Sequence, residues 1–417
     1  MIPLRQLIES YIGGGWGKDS PDKDHTVPAY VIRGTDLIDV QSRVVSRVPF
    51  RFHKASNARS RALRTGDIVF EVSGGSKDQP VGRSLLIDQR CVTLFDGNVI
   101  PASFCKKISP DQEKIHPRYL LAHLQLAWSD RRIVQWQVQS TGISNFNFES
   151  FLDEFFIELP ARSVQDRIAE ILTAYDDLIE NSQRRIRILE EMARALYREW
   201  FVHFRFPGFD SAAEASRAPS SWKHTALKDV AEVRLGKMLD QSKNRGELMP
   251  YLANVNVRWG EFDVSALRMM RFEEHECEAY GLRVGDIVMC EGGEPGRCAI
   301  WRNQVDGVMI QKALHRIRCR AGMSFVYLYH CLRQLGENGF LSSLFTGSTI
   351  KHLPLEKLAN VRLMVPHADL LAQFENVAGP IESQIFSLQC QIQVLRRNRD
   401  LLLPRLLSGQ IDVEALT

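Results

Sequence analysis

The stretch Leu63-Arg64-Thr65-Gly66-Asp67-Ile68-Val69 returns 219 residues later as Leu282-Arg283-Val284-Gly285-Asp286-Ile287-Val288. A stretch that recurs in this way indicates an internal repeat, which has to be recognised before the fold is interpreted. Further matches follow in the same order along the two halves: Leu4–Leu7 with Leu227–Val230, Asp96-Gly97 with Asp306-Gly307, and Thr141-Gly142 with Thr346-Gly347. Several matches in one order predict a duplicated protein.

Each half begins with a mixed segment, about 1–160 and 222–366. Short β-branched runs between glycine turns, such as 67–72 and 286–290, predict strands. A short amphipathic helix is expected in each segment, around 118–126 and 325–335. Beyond Leu159-Pro160 and Val365-Pro366 the shift between matching residues settles at 206, as from Ile168 to Phe374.

Each half continues with a long amphipathic helix. Over 163–204 apolar residues, Met192 and Leu196 among them, recur every three or four positions. The second half repeats the stripe from Phe374 through Val377 to Leu402. Gly379-Pro380 is expected to kink or break the second helix, and Pro404 to end it. The first helix, about 60 Å long at 1.5 Å per residue, exceeds what one domain of that size needs to cover its core.

The two stripes are expected to pack on each other as an antiparallel coiled coil about a pseudo-two-fold axis, which predicts a caliper with two similar heads. The alternative is that each helix packs on its own globular segment. The sequence thus predicts an α+β fold with two similar mixed α/β domains separated by two long helices. The expected bounds are 1–160 for the first domain, 161–205 for the first helical spacer, 206–221 for a linker, 222–366 for the second domain, and 367–417 for the second spacer and tail.

The composition is that of a globular protein, with 417 residues, 44% hydrophobic and 25% charged. There is no apolar run of the length that spans a membrane, and the first residues lack the apolar core of a signal peptide. We therefore expect a cytoplasmic protein. Its eight cysteines include no C-x-x-C pair, so a zinc ribbon has no support and most thiols are expected to be reduced.

The net charge of only +3 conceals two basic segments, one in each half. Residues 40–66 and 307–336 contain no acid. Such segments neutralise phosphates, and arginine can read guanine edges, although a single basic run is commonly just a solvated face. We predict DNA contacts from the cations Arg43, Arg47, Arg51, Lys54, Arg59, Arg61, Arg64, Lys312, Arg316 and Arg318.

Glycine-rich loops follow both Gly-Asp-Ile-Val strands. Gly74 and Gly75 lie in the first, and Arg297 closes the second. Glycine allows either a tight hairpin turn or close approach to a ligand. Both roles stay open, and we include these three residues among the predicted DNA contacts.

Known catalytic patterns are absent from the sequence. Gly13-Gly14-Gly15-Trp16-Gly17-Lys18 fails the spacing of a phosphate-binding loop, and zinc-protease, nucleophile-elbow and dinucleotide motifs do not occur. The histidines do not cluster. The sequence favours a binding protein, neither an enzyme nor a metal protein, with no cofactor of its own.

The long helical regions resemble one known family, the specificity subunits of Type I restriction-modification enzymes. The resemblance rests on Gln165-Asp166-Arg167-Ile168-Ala169-Glu170-Ile171-Leu172, on 189–201, and on Leu402-Leu403-Pro404-Arg405-Leu406-Leu407-Ser408-Gly409-Gln410-Ile411. It covers the whole chain in plan and is looser in the two domains. The second helix departs from it, with Leu371-Ala372-Gln373 where the first has Gln165-Asp166-Arg167.

The resemblance implies two target recognition domains, each reading one half of a split site in double-stranded DNA. The helices would span the unread spacer and dock two methylation subunits, and a restriction motor-nuclease subunit would complete the complex. S-adenosylmethionine, magnesium and ATP would belong to those partners. We place partner docking on Arg184, Arg187, Glu191, Trp200 and Phe201, with core packing as the alternative for Trp200. The competing hypotheses are a structural adaptor that binds proteins, and a nuclease or methylase with unrecognised motifs.

Overall fold

The structure is a computed structural model that describes residues 1–74, 79–140, 143–208, 219–238, 240 and 244–415. Its chain forms two compact units. The first consists of 1–183 together with 391–417, and the second of 184–390. The boundary between the units thus falls inside both long helices.

The first unit contains a mixed α/β domain. Its 3-10 turns are Leu4–Leu7, Gly34–Asp36 and Arg132–Trp136, and its helices are α1 (Leu37–Gln41), α2 (Ala55–Arg61), α3 (Gln89–Thr93), α4 (Pro117–Ser129) and α5 (Phe148–Glu154), followed by the long α6 (Arg162–Tyr197). Its strands are β1 (Ile2–Pro3), β2 (Ile8–Gly13), β3 (Val27–Ile32), β4 (Phe50–His53), β5 (Ile68–Glu71), β6 (Ser73–Gly74), β7 (Ser84–Leu86), β8 (Asn98–Pro101), β9 (Cys105–Pro110), β10 (Gln137–Ser140), β11 (Ile143–Phe146) and β12 (Phe156–Ile157).

The second unit contains the second domain. Its strands are β13 (Lys223–Ala226), β14 (Ala231–Leu235), β15 (Glu247–Leu252), β16 (Arg268–Phe272), β17 (Ile287–Cys290), β18 (Cys298–Ile300), β19 (Met309–Ile310), β20 (Leu314–Cys319) and β21 (Arg362–Val365). Its helices are α7 (Leu227–Val230), α8 (Glu274–Tyr280), α9 (Phe325–Glu337), α10 (Phe340–Ser343) and α11 (Leu355–Ala359), before the long α12 (Ala368–Leu407). A 3-10 turn lies at Asn254–Asn256.

The two domains have the same sheet topology. The four-stranded sheets run β2-β9-β5-β7 and β14-β20-β17-β18, the three-stranded sheets run β4-β3-β8 and β16-β15-β19, and β1-β12 matches β13-β21. In both three-stranded sheets the inner pair, β3 with β8 and β15 with β19, is parallel. The first domain adds the sheet β10-β11-β6. These matches confirm the predicted duplication and fold class.

The repeated Gly-Asp-Ile-Val stretch has the same structural role in both domains. Asp67 accepts the backbone N–H of Arg64 at 2.7 Å, and Asp286 accepts that of Arg283 at 2.8 Å. Gly66 and Gly285 have positive φ angles, which glycine adopts without a steric penalty. Each stretch is therefore a tight turn that leads into a buried central strand.

The two long helices pack antiparallel within each unit. In the first unit Asp176 of α6 contacts Arg399 of α12, and Ser163 contacts Glu414. In the second unit the ring of Tyr197 packs against Phe374. The first half of α6 also joins the core of its own domain, because Ile168 and Leu172 cluster with residues of α4. The expected helix pairing and its alternative, packing on the globular segment, both occur.

For the second helix, the expected break at Gly379-Pro380 and the expected end at Pro404 are both wrong. Helix α12 runs through Gly379 and Pro380, and it continues to Leu407 beyond Pro404. Both prolines are exposed, so their rings occupy the outer face of the helix and interrupt only one backbone bond each. The first helix also ends differently from a plain α-helix, in a π-helical turn at Arg198–Val202.

The buried stripe of the first helix is offset from the predicted one in its second half. Met192 is exposed whereas Ala193 is fully buried, and Tyr197 is buried in place of Leu196. In the second helix Ala378 is buried where Val377 was expected. Small residues allow closely packed backbones. The position that faces the partner helix is therefore buried even where a neighbouring residue has the larger apolar side chain.

Candidate nucleic-acid interface

Loops converge at one end of the four-stranded sheet in the first domain. Backbone N–H groups of Gly14 and Gly15 donate to the carbonyls of Cys105 and Pro101, both at 2.9 Å. Val72 donates to Phe104 and accepts from Phe146, again at 2.9 Å. We call this surface, made by 13–25, 71–74, 101–105 and 143–146, the loop end of the first domain.

The second domain repeats these four hydrogen bonds. Gly236 and Lys237 donate to Leu314 and Ile310 at 3.0 Å, and Glu291 donates to Ala313 and accepts from Leu353 at 2.8 Å. The loop end of the second domain comprises 236–238, 240, 244–246, 291–297, 310–314 and 346–353. Equivalent backbone contacts therefore organise an equivalent surface in each domain.

Glycine is required at the centre of each loop end. A Cβ atom on Gly14 would lie 2.1 Å from the carbonyl oxygen of Ala102, and one on Gly236 would lie 2.4 Å from that of Gln311. Backbone atoms cannot move away as a flexible side chain can. The glycine-rich segments that fail as phosphate-binding motifs are therefore explained by close backbone packing.

The predicted cations of the first domain differ in exposure. Arg47, Lys54, Arg59 and Arg64 are exposed. Arg51 lies over the ring of Trp16, 4.4 Å from its centroid, and pairs with Asp19. The four exposed cations fit a phosphate-binding surface, whereas Arg51 is held by Asp19 and Trp16.

Arg61 and Arg43 have structural partners. Arg61 donates through Nε to the carbonyl of Gly13 at 2.9 Å, which fastens α2 to the loop end. Arg43 binds Asp88 at 2.6 Å and Glu180 of α6 at 3.1 Å. Burial opposes the charge of Arg43, but these two carboxylates outweigh it and raise its pKa. Arg43 thus links the domain to the long helix and has little surface left for DNA.

Two predicted cations of the second domain are committed to internal contacts. Arg316 is buried, and its guanidinium donates to the carbonyls of Ala279 and Gly281 and to Glu232. Arg318 forms a two-pronged pair with Asp286, both bonds at 2.7 Å, and this pairing raises the pKa of Arg318. Neither guanidinium is available to a phosphate in this structure.

The first domain has counterparts of these two arginines. In the matching register of strand β9, Lys107 donates to the carbonyl of Ala62 at 2.7 Å, and Ser109 donates to Asp67 at 2.7 Å. Lys107 therefore takes the place of Arg316, and Ser109 that of Arg318. In both domains the strand supplies a polar partner for the repeated aspartate.

The remaining predicted contacts lie at the loop ends. Lys312 is exposed in the turn before β20. Arg297 is mostly covered, because it donates to the carbonyl of Asn254 at 3.0 Å and to Glu294 at 2.8 Å. Gly74 lies in β6 with a positive φ angle. Gly75 lies outside the described residues, as does Thr141-Gly142.

Sequence reasoning missed several exposed cations. In the first domain Lys18 lies at the loop end beside β4, to which it is bridged at Phe52. In the second domain exposed cations outside the predicted basic segment include Arg245, Arg258, Arg268, Arg271 and Lys351. Arg268 and Arg271 lie close in sequence to the acidic run 273–278, which hid them in a search for segments without acid. The alternation along edge strand β16, where Met270 and Phe272 are buried, is the signal that could have identified Arg271.

The predicted partner-docking residues divide into two groups. Arg184, Arg187 and Glu191 are exposed on α6. Trp200 and Phe201 are buried, and both rings pack against Phe374. The alternative of core packing therefore describes Trp200 and Phe201, which cannot form an accessible docking surface in this structure.

In the described part of the chain, no three His, Cys, Asp or Glu side chains are grouped so that they could hold a metal ion. Within those same ranges, no helix has the length and apolar character needed to cross a bilayer.

The chain is similar to known proteins over part or most of its length. Residues 62–191 match the family model of the Type I restriction modification DNA specificity domain. A Type I restriction enzyme MjaIX specificity subunit from Methanocaldococcus jannaschii is 26% identical over 277 residues, which cover 64% of this chain and 63% of the relative. The chain therefore matches less than two thirds of that relative's length.

Two further similarities extend over most of the chain. A Type I restriction enzyme HindI specificity subunit from Haemophilus influenzae is 20% identical over 84% of this chain and 88% of its own length. The crystal structure of an S subunit of a Type I restriction-modification system from M. genitalium superposes with a TM-score of 0.53 at 15% identity, covering 97% of this chain and 94% of the other. The second comparison shows a shared fold.

Residues 62–191 are thus similar to a DNA specificity domain, and most of the chain is similar in sequence to specificity subunits of Type I restriction enzymes. The chain shares its fold with an S subunit of a Type I restriction-modification system.

Proposed function

We propose that this chain reads DNA sequence for a Type I restriction-modification complex in the cytoplasm, each domain binding one half of a two-part site. The observation that carries the proposal is the repetition of the loop end, with the same four backbone hydrogen bonds, in two domains of one chain. Two similar but non-identical surfaces are what a reader of two different half-sites needs. We propose that these two DNA-reading domains span residues 1–160 and 222–366.

Exposed cations in both domains support binding to a phosphate backbone. The first domain offers Arg47, Lys54, Arg59 and Arg64, and the second offers Lys312, Arg268 and Arg271. Each phosphate contact releases counterions, so affinity should fall steeply as salt rises. Phosphate contacts position the protein, and contacts to base edges specify sequence.

The long helices are proposed to span the unread spacer and to dock two methylation subunits. Arg184, Arg187 and Glu191 lie exposed on α6 and are the residues that we assign to docking. Trp200 and Phe201 are not part of this surface because they lie in the core. A restriction motor-nuclease subunit is the further proposed partner.

We assign no catalytic step to this chain. Methyl transfer with S-adenosylmethionine, and cleavage with magnesium and ATP, would be carried out by the partner subunits. An assay of the purified chain with S-adenosylmethionine or magnesium tests this assignment, and turnover by the chain alone would contradict it.

The decisive experiment is methylome sequencing of cells that carry this chain with its methylation subunit. The expected result is a two-part methylated motif with a fixed unread gap. Exchange of 222–366 for the equivalent domain of another such chain should change one half of the motif and leave the other. Binding to DNA with no salt dependence and no motif would instead favour the adaptor hypothesis.

A further inference from the structure

Helices α2 and α8 are structural counterparts that border the loop ends. Each has seven residues and follows an edge strand, β4 or β16. Arg61 of α2 donates to the carbonyl of Gly13 at 2.9 Å. In the second domain, Glu276 of α8 accepts a hydrogen bond from the Nζ of Lys237. Both helices are thus fastened to the same part of their domain.

The charges of these two helices are opposite. With the residue preceding each helix included, α2 carries Lys54, Arg59 and Arg61 and no acid. The equivalent segment of α8 carries four carboxylates and no lysine or arginine; these are Glu273, Glu274, Glu276 and Glu278. At two matched positions the sign of the charge is reversed: at the shift of 219 residues, Lys54 corresponds to Glu273 and Arg59 to Glu278.

The inverted charges are on the surface. Lys54 and Arg59 are exposed, and so are Glu273, Glu274 and Glu278. Lys237 neutralises only Glu276, and it is itself buried. A phosphate backbone laid along α2 would meet positive charge, whereas the same path along α8 would meet like charges, which repel.

We infer that the two domains hold DNA asymmetrically, with α2 of the first domain contacting the phosphate backbone and α8 of the second domain lying off the DNA path. This inference rests on the proposed function and goes beyond it, because duplication alone predicts equal footprints. The first domain thus supplies phosphate contacts for which the second has no equivalent.

The second domain carries exposed positive charge on β16, the strand that precedes α8. Arg268 and Arg271 are exposed on β16, where the first domain has Pro49 and Phe52. Arg271 also holds the adjoining loop, since it donates through Nη1 to the carbonyl of Gly246 at 2.9 Å. The cationic surface of the second domain therefore lies along the edge strand rather than along the helix.

The test measures the salt dependence of binding to a mixed-sequence DNA duplex by the full-length chain. Removal of two phosphate contacts in the double variant Lys54→Ala/Arg59→Ala should reduce the slope of log affinity against log salt by about 2. The matched control is Glu273→Ala/Glu278→Ala at the equivalent positions, which should leave the slope and the affinity unchanged.

The outcomes separate the inference from the proposed function. An unchanged slope in the Lys54/Arg59 variant, or tighter binding by the Glu273/Glu278 variant, would overturn the asymmetry while a steep wild-type slope upheld DNA binding. A wild-type slope near zero would instead reject the proposed function itself. Circular dichroism of both variants verifies that the two short helices and their domains remain folded.

Discussion

Asp176 accepts a hydrogen bond from Nη1 of Arg399 at 2.8 Å, although 223 residues separate them in the chain. The other carboxylate oxygen of Asp176 accepts from the buried guanidinium of Arg118. One carboxylate therefore joins both long helices and the short helix α4 of the first domain. Glu382, 206 residues later, is placed in the same way beside His330 of α9.

The first prediction concerns this shared carboxylate. Asp176→Asn should lower the free energy of unfolding by about 3 kcal/mol, because it leaves the buried Arg118 charge without its counter-ion. The matched control is the adjacent Asp177→Asn, whose pair with Arg90 is exposed on both sides and should contribute under about 1 kcal/mol. Urea titration of the full chain measures both values, and equal effects would contradict the prediction.

A second prediction separates structural from DNA-contacting cations in one basic segment. Arg316→Ala should destabilise the protein by about 2 kcal/mol, because the carbonyls of Ala279 and Gly281 lose their donor. It should leave the salt slope of DNA binding unchanged. Lys312→Ala should have the opposite profile, with unchanged stability and a slope reduced by about 1. A steep loss of salt dependence with Arg316→Ala would show that this residue reaches DNA.

The third prediction concerns glycine packing at the loop ends. Gly14→Ala and Gly236→Ala place a Cβ atom against backbone carbonyls and should each cost several kcal/mol, about 2 to 4, since overpacking there has no side chain to displace. Gly13→Ala is the control, because its Cβ atom would have nothing within 4 Å. Thermal denaturation compares the three variants, and a normal melting temperature for Gly14→Ala would refute the packing argument.

The fourth prediction is a pH dependence of stability. Burial, reinforced by the nearby Arg132 charge, lowers the pKa of His123 to about 4. The neutral imidazole is therefore favoured in the folded state, so its contribution is complete above pH 6.5 and is lost as pH falls toward 4. We expect a loss of about 3 kcal/mol over that range, since each unit of pKa shift corresponds to about 1.4 kcal/mol.

The variant His123→Phe isolates this contribution from that of the carboxylates. It retains an aromatic ring against Tyr119, whose centroid lies 4.7 Å away, and it cannot titrate. The difference in unfolding free energy between wild type and variant should change between pH 7 and pH 4. Parallel pH profiles for the two proteins would rule out a role for His123.

The repeat and its fold class could be predicted from sequence because they depend on local chemistry. The turn at Gly66-Asp67 requires a positive φ angle and a side-chain acceptor, and both requirements recur at Gly285-Asp286. The helix stripe was visible in the spacing of apolar residues. Its offset from Met192 to Ala193 was not, because residue size alone does not reveal which position faces the partner helix.

The candidate interface was less accessible to sequence reasoning. Arg316 and Lys312 belong to one basic run, yet one is buried beneath α8 and the other is exposed in a turn. Strand β20 is covered along most of its length, so no alternation between polar and apolar residues distinguishes its buried cations. Counting charge along a segment cannot replace knowledge of which side of a strand is covered.

The core of the first unit combines Leu4 and Leu7 with Leu403, Leu406 and Leu407. A ribosome makes the first pair almost four hundred residues before the other three. The first unit therefore cannot complete its core until those three leucines have left the exit tunnel, whereas the second unit is translated in one continuous piece, 184–390. We expect the first unit to keep part of its apolar surface uncovered during that interval.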